Sequence, residues 1–352
     1  MPKQALLFPP PPSWGRGALA AFRIAARVAA AALLTACSGA QHVLDPAGRQ
    51  ASLISDFWWF SLALSSVVFL LVVAGLLYAV FHRRRGVGPD HDPEKQRQMT
   101  RWVVGATAAT VLVLLVYLIA ALSTSRRIGD LAIQPIMTIE ITGHQWWWEV
   151  HYADPVANRR LTTANEIHIP VGRPVRLKLE SRDVIHSFWV PNLHGKKDLI
   201  PGYVSTTWLQ ADEPGVYSGQ CAEFCGLQHA HMGLLVIAQP PEQFAAWYER
   251  QLEPAAPPTD SLRLRGQEVF LSRSCNLCHT IRGTQANARV APDLTHLASR
   301  RTLAARTLPN TRGHLAGWLV DPPSLKPGNR MPPNLLNSDE LEALLAYLES
   351  LR

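Results

Sequence analysis

The chain is 352 residues long, which is enough for two or three domains. It carries 34 Lys and Arg against 27 Asp and Glu, but residues 130–250 hold 9 basic and 13 acidic side chains whereas residues 262–352 hold 12 and 7. The sequence has no run of Lys and Arg with interleaved aromatic residues, so it gives no support for nucleic acid as a partner. The opposite regional charges favour complementary surfaces within one chain instead.

The first 36 residues have the pattern of an export signal, with basic residues ahead of an apolar Ala/Val/Leu stretch. The tetrapeptide from Leu34 to Cys37 resembles the bacterial lipobox, whose cysteine is lipidated and becomes the mature N-terminus. An uncleaved leader with an incidental cysteine is the alternative. We expect a lipoprotein-type signal over residues 1–36 and an N-terminal segment over residues 37–53.

Two uncharged stretches, residues 57–81 and 102–125, are each long enough to cross a bilayer. The loop between them is rich in Lys and Arg, whereas only Arg126 and Arg127 closely follow the second stretch. The positive-inside rule therefore places the loop in the cytoplasm. We expect a multi-pass hairpin over residues 54–126 in a bacterial inner membrane, with everything after it on the periplasmic side.

Residues 130–250 are predicted to be β structure. Apolar and polar residues alternate from Ile139 to Ile141 and from Val175 to Leu179, which is the period of a half-buried strand.

A short helix is expected next, over residues 240–252, and the Pro-rich stretch 251–261 reads as a semi-rigid linker. Residues 262–352 have helical character. The last helix is predicted to begin at Ser338, with its apolar positions on one face. Those positions are Leu341, Leu344, Leu345 and Leu348.

Residues 275–279 read Cys-Asn-Leu-Cys-His, the attachment motif of a c-type haem. The thiols of Cys275 and Cys278 would add to the two vinyl groups of one macrocycle, and His279 would then lie under the iron. A redox dithiol followed by a chance histidine, or half a zinc site, is the alternative. A thioredoxin-like redox motif would need neighbouring strands, and none is predicted here.

The haem iron needs a further ligand, and Met331 is the methionine that this region offers. It lies in a Pro-rich loop just ahead of the last helix, which is similar to the methionine loop of class I cytochromes c. His296 and His314 are the rival ligands. A thioether ligand raises the reduction potential of a haem.

Residues 221–232 place two thiols, an imidazole and a thioether within twelve positions: Cys221, Cys225, His229 and Met232. Thiolate and thioether are soft ligands that copper prefers, and two thiolates suggest a bridged pair of copper ions. His186 is the expected contribution from another strand. A zinc site built from the two cysteines and two histidines is the alternative, but it would leave the methionine without a role.

These segments together resemble subunit II of haem–copper cytochrome c oxidases, in the caa-type form with a fused C-terminal cytochrome c domain. The matching stretches are residues 143–148, 183–188, 197–202 and 221–232. The resemblance implies a two-helix transmembrane hairpin, an all-β cupredoxin-like sandwich or barrel over residues 130–250, and an all-α class I cytochrome c domain over residues 262–352.

The resemblance also implies roles for single residues. The dinuclear copper A centre would be held by Cys221, Cys225, His186, His229, Met232 and the main-chain carbonyl of Glu223. The Glu223 side chain would help bind magnesium at the boundary with subunit I, and Trp146 would be the exposed tryptophan through which electrons enter. One covalent haem c would be bound by Cys275, Cys278, His279 and Met331.

The function implied by the resemblance is that of the subunit through which electrons enter a respiratory cytochrome c oxidase. Electrons would pass from the fused haem to the copper pair and on to subunit I, where O2 is reduced to water with proton translocation. Expected partners are subunits I and III and an external cytochrome c or another donor. The copper subunit of a nitric oxide reductase and a non-enzymatic membrane-anchored redox relay are the alternatives.

Overall fold

A computed structural model of the chain describes residues 40–82, 93–130 and 135–352. The expected signal over residues 1–36 and the proposed lipid attachment at Cys37 lie outside the described residues, as do residues 83–92 of the basic loop. Residues 43–352 form one compact unit.

Two long helices precede the rest of the fold: α1 (Arg49–Phe81) and α2 (Pro93–Asp130). Both are long and apolar enough to cross a membrane, and their apolar windows are not buried within the chain. The rings of Phe57 and Phe60 pack on Tyr117, with the Phe57 and Tyr117 centroids 5.4 Å apart. Both helices extend beyond the predicted spans, because the prediction counted uncharged residues alone and the helices continue into polar flanks.

Within residues 135–252, ten strands form two five-stranded sheets. The strands are β1 (Thr138–His144), β2 (Trp147–Ala153), β3 (Leu161–Ala164), β4 (Glu166–Pro170), β5 (Val175–Ser181), β6 (His186–Trp189), β7 (Lys197–Leu199), β8 (Ser205–Leu209), β9 (Gly215–Cys221) and β10 (Gly233–Gln239). The first sheet has the order β3-β2-β1-β5-β8 and the second β4-β10-β9-β6-β7. Strands β1 and β5 pair in parallel, as do β4 and β10, while the other neighbours are antiparallel.

The predicted period-two alternation is confirmed. Every second residue of β1 and β2 is buried, so that Ile139, Ile141, Trp148 and Tyr152 enter the core between the sheets. Helix α3 (Pro241–Leu252) then covers this core with aromatic side chains. We call residues 138–252 the sandwich domain.

Residues 261–352, which we call the C-terminal domain, are mainly helical. The helices are α4 (Ser261–Ser272), α5 (Arg312–Val320), α6 (Pro322–Leu325) and α7 (Ser338–Leu348). Helix α7 begins where the sequence predicted, because Asn337 and Glu340 form a reciprocal capping box. Its apolar face joins the core, with Leu344, Leu345 and Leu348 buried.

The C-terminal domain also contains a two-stranded hairpin, β11 (Thr302–Leu303) and β12 (Leu308–Pro309). The expectation that this region lacks strands was therefore wrong. Each strand is two residues long, which is too short for a periodic pattern to reveal it.

The junction between the two domains is held by hydrogen bonds. The Ala255 amide donates to the Arg282 carbonyl over 2.9 Å, and the Arg282 guanidinium donates to the Leu252 carbonyl, also over 2.9 Å. The Pro-rich segment is therefore fastened to the C-terminal domain as it leaves α3.

Candidate metal centre

Three potential metal ligands come together at one end of the second sheet. His186 begins β6 and Cys221 ends the neighbouring β9, with Phe188 and Cys221 directly paired between the strands. Cys225 lies in the loop that follows β9. The ligand atoms of His186, Cys221 and Cys225 all lie within 4.8 Å of one another, and all three residues are buried.

The remaining predicted donors surround the two sulfur atoms. The Cys221 Sγ lies 3.2 Å from the Glu223 carbonyl oxygen and 3.8 Å from His186 Nδ1. The Cys225 Sγ lies 3.7 Å from His229 Nδ1 and 3.9 Å from Met232 Sδ. Each sulfur therefore has one imidazole nitrogen beside it. The Glu223 carbonyl oxygen lies beside the Cys221 sulfur, and the Met232 thioether lies beside the Cys225 sulfur.

The two cysteines are not joined by a disulfide. Their sulfur atoms are 3.7 Å apart, whereas a disulfide bond is about 2.05 Å long. Two free buried thiols, two imidazoles and a thioether form a soft donor set that fits copper. The zinc alternative accounts less well for Met232, which is completely buried and turns its sulfur towards Cys225.

The surroundings favour the thiolate form of Cys221 and disfavour that of Cys225. The contact between the two sulfurs lowers the pKa of Cys221. The same contact, together with burial, raises the pKa of Cys225. Burial alone would lower the pKa of His186, but its contacts with Cys221 and Asp183 outweigh burial and raise it. A cation between the sulfurs would remove the repulsion between two thiolates.

Sequence reasoning missed the groups that hold the ligands in place. The Asp183 carboxylate lies 2.8 Å from His186 Nε2, so it fixes the ring and leaves Nδ1 facing the cysteines. Gln145 Nε2 and Trp146 Nε1 both donate to the Cys225 carbonyl, at 2.8 and 2.9 Å. The spacing of Asp183 three residues before His186 was a usable signal, since metal-binding histidines commonly pair with a carboxylate.

One predicted detail differs from the structure. Trp146 was expected to be exposed, but it is half-buried and packs against the core. His231, which lies between His229 and Met232 in sequence, is in a 3-10 turn with its Nδ1 2.7 Å from Gln228 Oε1. The Glu223 carboxylate, expected to help bind magnesium, lies 3.6 Å from Lys196 Nζ.

The second candidate site is in the C-terminal domain. Cys275 starts a 3-10 helix (Cys275–Leu277) and Cys278 is its C-cap, so both free thiols belong to one turn of backbone. His279 Nδ1 donates to the Pro292 carbonyl over 2.7 Å, which leaves Nε2 as the ring atom available to a metal. Burial lowers the pKa of His279, which favours the neutral imidazole that binds metals.

The surroundings of this motif fit a planar apolar group. Leu277 lies within the motif and Val290 donates its amide to the Cys278 carbonyl. Their surfaces are 66% and 67% exposed, and a haem would cover such apolar area. Met331 is partly buried against the core of the domain.

The two histidines that are the alternatives to Met331 as iron ligand both have hydrogen-bond partners within the protein. His296 is buried with its Nε2 3.0 Å from the Glu253 carbonyl, and His314 is exposed and hydrogen bonded to Thr311. The assignment of Met331 stays a prediction.

Comparisons with known proteins agree with this arrangement. Residues 154–239 match the family "Cytochrome C oxidase subunit II, periplasmic domain", and residues 264–352 match "Cytochrome c". Cytochrome c oxidase subunit 2 of Alkalihalophilus pseudofirmus is 36% identical over 91% of this chain and 94% of its own. The protein of the same name from Bacillus sp. strain PS3 is 29% identical over 77% of this chain and 80% of its own.

A solved structure, the periplasmic domain of subunit II of cytochrome oxidase from Bradyrhizobium japonicum, is 32% identical to this chain. It matches 34% of this chain and 94% of its own length, with a TM-score of 0.32.

The fold and the site define a membrane-anchored redox protein that carries copper and haem. The features that define it are two candidate membrane helices, a cupredoxin-like sandwich with a thiol–imidazole cluster, and a helical cytochrome c domain. The chain belongs to the cytochrome c oxidase subunit 2 family. The predicted resemblance and fold class are thereby confirmed.

Proposed function

We propose that this chain is the subunit through which electrons enter a membrane-bound cytochrome c oxidase. The observation that carries the proposal is the convergence of Cys221, Cys225, His186, His229 and Met232 in a chain that also contains a cytochrome c domain. Reduction of O2 to water, with proton translocation, belongs to the partner subunit I. The match to oxidase relatives favours this function over a nitric oxide reductase subunit or a free-standing relay.

The sandwich domain would hold a dinuclear copper centre. Cys221 and Cys225 would hold the copper through their sulfurs, His186 and His229 would each supply a nitrogen, and Met232 Sδ and the Glu223 carbonyl would complete the donor set. When bound, the copper would supply one-electron transfer. The protein's own part is to keep the donors in place: Asp183 orients the His186 ring, and the buried surroundings exclude water.

The C-terminal domain would hold one covalent haem c. Cys275 and Cys278 would attach the haem covalently, His279 and Met331 would hold its iron, and the haem would supply one-electron transfer. The Pro292 carbonyl supports this role for His279, because its hydrogen bond to Nδ1 fixes the ring and its tautomer.

The finer assignments are also part of the proposal. The domains would be a lipoprotein-type signal (1–36), an N-terminal segment (37–53), a hairpin (54–126), a copper domain (130–250), a linker (251–261) and a cytochrome c domain (262–352). The hairpin would lie in the bacterial inner membrane with both redox domains in the periplasm, and Glu223 would contribute to a magnesium site facing subunit I. Subunit III and an external cytochrome c complete the expected partners.

The test is to purify the full chain in detergent and to measure copper and iron per chain together with electron paramagnetic resonance. Two coppers, one iron and a hyperfine pattern of one electron shared by two copper nuclei are expected. His229→Asn should abolish that pattern, whereas the matched His231→Asn should retain it, because the His231 ring faces Gln228 and not the sulfurs. One copper or one zinc per chain would contradict the dinuclear site.

A further inference from the structure

The C-terminal domain contacts the part of the sandwich domain that carries the candidate copper ligands. We call residues 221–233 the ligand loop. The Gly233 amide donates to the Ala305 carbonyl over 3.0 Å, and Thr307 Oγ1 lies 3.4 Å from the His231 carbonyl. The turn of the β11–β12 hairpin is therefore bonded to the backbone on both sides of Met232.

Lys326 is the centre of this contact. Only 3% of its surface is exposed, and its Nζ donates to the carbonyls of Trp146 (2.8 Å), His231 (2.8 Å) and Ala304 (3.0 Å). In its ammonium form this group has three N–H donors, one for each carbonyl, and burial lowers the pKa of Lys326 to about 7. The Lys326 side chain thus joins the β1–β2 turn, the ligand loop and the hairpin turn of the C-terminal domain.

The residues that follow Lys326 cover Trp146. Gly328 has a φ of +82°, and a Cβ built there would lie 3.1 Å from a Leu227 methyl and 3.5 Å from the Trp146 ring. The backbone of this loop therefore lies directly on the indole. Gln228, itself 4% exposed, donates from Nε2 to the Pro327 carbonyl over 2.8 Å and fixes the same loop from the other side.

A second contact holds the far edge of the interface. The Glu166 carboxylate, on β4 and 3% exposed, accepts hydrogen bonds from the backbone amides of Arg301 (2.7 Å) and Thr302 (3.1 Å). Hydrogen bonds to a buried ionic group are among the stronger ones in proteins, and losing one leaves a buried polar group unpaired. The interface therefore has an anchor at each end, Lys326 from one domain and Glu166 from the other.

We propose that the C-terminal domain is docked in a fixed position over Trp146, and that Lys326 is the positioning residue that fastens it there. The face at Trp146 is then closed to any separate protein donor, and an external carrier delivers its electrons to the C-terminal domain alone. The inference rests on the proposed function for its meaning, but the docking itself can be tested without electron transfer.

The experiment compares the full chain with Lys326→Met, which keeps the length of the side chain and removes its three donors. Lys178→Met is the matched control, because Lys178 is a half-exposed lysine that pairs with Glu140 on the open face of the first sheet. Amide hydrogen exchange is followed at Gly233, whose N–H bonds across the interface, and oxidative footprinting by mass spectrometry is followed at the Trp146 side chain.

Lys326→Met should speed exchange at Gly233 by about tenfold or more and increase the labelling of Trp146, since three carbonyls lose their donor. Lys178→Met should match the wild type in both measurements. Gly328→Ala opens the interface from the C-terminal side, because its side chain would strain a left-handed backbone and press on Leu227, so it should act in the same direction as Lys326→Met.

Copper and haem content, measured on each variant, show whether both sites remain folded. Wild-type exchange and labelling in Lys326→Met and Gly328→Ala would overturn the docking proposal even if both cofactors are present. Absence of copper or haem from the wild type would instead contradict the proposed function and leave the docking result standing.

The functional measurement is the rate at which an electron passes from flash-reduced haem to copper within one chain. We expect Lys326→Met to slow this transfer about tenfold or more, because the haem domain spends less time in its docked position. An unchanged transfer rate in a variant that has undocked by hydrogen exchange would overturn the claim that Lys326 positions the donor.

Discussion

His194 is a buried histidine whose protonation should set the acid stability of the sandwich domain. Its surface is 6% exposed, its Nε2 lies 2.7 Å from Thr207 Oγ1, and its Nδ1 faces the Gly195 carbonyl. A carbonyl can only accept, so Nδ1 carries the proton and Nε2 accepts from the threonine hydroxyl. A second proton on the ring would place a positive charge in this buried site, and the Thr207 hydroxyl would have to turn and accept from Nε2.

The magnitude follows from the pKa. Burial lowers the pKa of His194 from 6.5 to about 4. Between these values the unfolded chain binds a proton that the folded chain does not, so stability rises with pH through this window and is lost on acidification. Integrated from pH 8 to pH 5, this ring alone should remove about 2 kcal/mol from the free energy of unfolding.

The assay is urea unfolding of the full chain in detergent at pH 8, 6.5 and 5, for the wild type and His194→Gln. The glutamine retains an acceptor for Thr207 but does not titrate. The difference in free energy of unfolding between His194→Gln and the wild type should shift by about 2 kcal/mol in favour of the variant between pH 8 and pH 5. The other titrating groups are common to both proteins, so their contributions cancel.

Thr207→Val is the control, since it removes the hydrogen bond and leaves the histidine buried. Its stability difference from the wild type should stay nearly constant with pH. A constant difference for His194→Gln as well would refute the reasoning, because it would mean that the folded ring accepts its proton as readily as the unfolded one.

Three glycines give further predictions. A Cβ at Gly266 in α4 would lie 2.0 Å from the Ala343 carbonyl oxygen of α7, so Gly266→Ala should destabilise the C-terminal domain by about 1–3 kcal/mol in denaturant unfolding followed by haem absorbance. Gly313→Ala in α5, where nothing lies within 4 Å, should be neutral or stabilising, and equal losses in the two variants would contradict the packing argument. A Cβ at Gly143 would lie 2.7 Å from the His186 ring, so Gly143→Ala should alter the copper resonance while the haem spectrum stays unchanged. A copper signal identical to that of the wild type would argue against His186 as a ligand.

Local patterns were sufficient for most of the fold. The alternation at Ile139 and Ile141 predicted a half-buried strand, because side chains on a strand point to opposite faces every second residue. The last helix was equally visible, since its apolar period and its start at Ser338 are both local features. The spacing of cysteines and histidines was informative for a chemical reason, as few structures other than metal sites use soft donors so close together.

Contacts between the domains could not be predicted in this way. Lys326 reads as an ordinary lysine in a Pro-rich loop, and its burial depends on carbonyls as distant in sequence as that of Trp146. The hairpin turn is a second example. Ala304, Ala305 and Arg306 all have positive φ values, yet none is the glycine or asparagine that usually reveals such a turn.

The hydrogen bonds that fasten the Pro-rich linker to the C-terminal domain have an evolutionary consequence. A short flexible connection would by itself give a tethered domain an effective concentration in the millimolar range. Even without the Arg282 bonds, an interface with a dissociation constant of about 1 mM would then be formed half the time. The Arg282 bonds to the end of α3 restrict the domain further. Natural selection therefore does not have to maintain a tight complex between the donor and the copper domain. Electron transfer from the haem domain to the copper site within one chain is first order, so it does not depend on the concentration of periplasmic carriers or on competition among them.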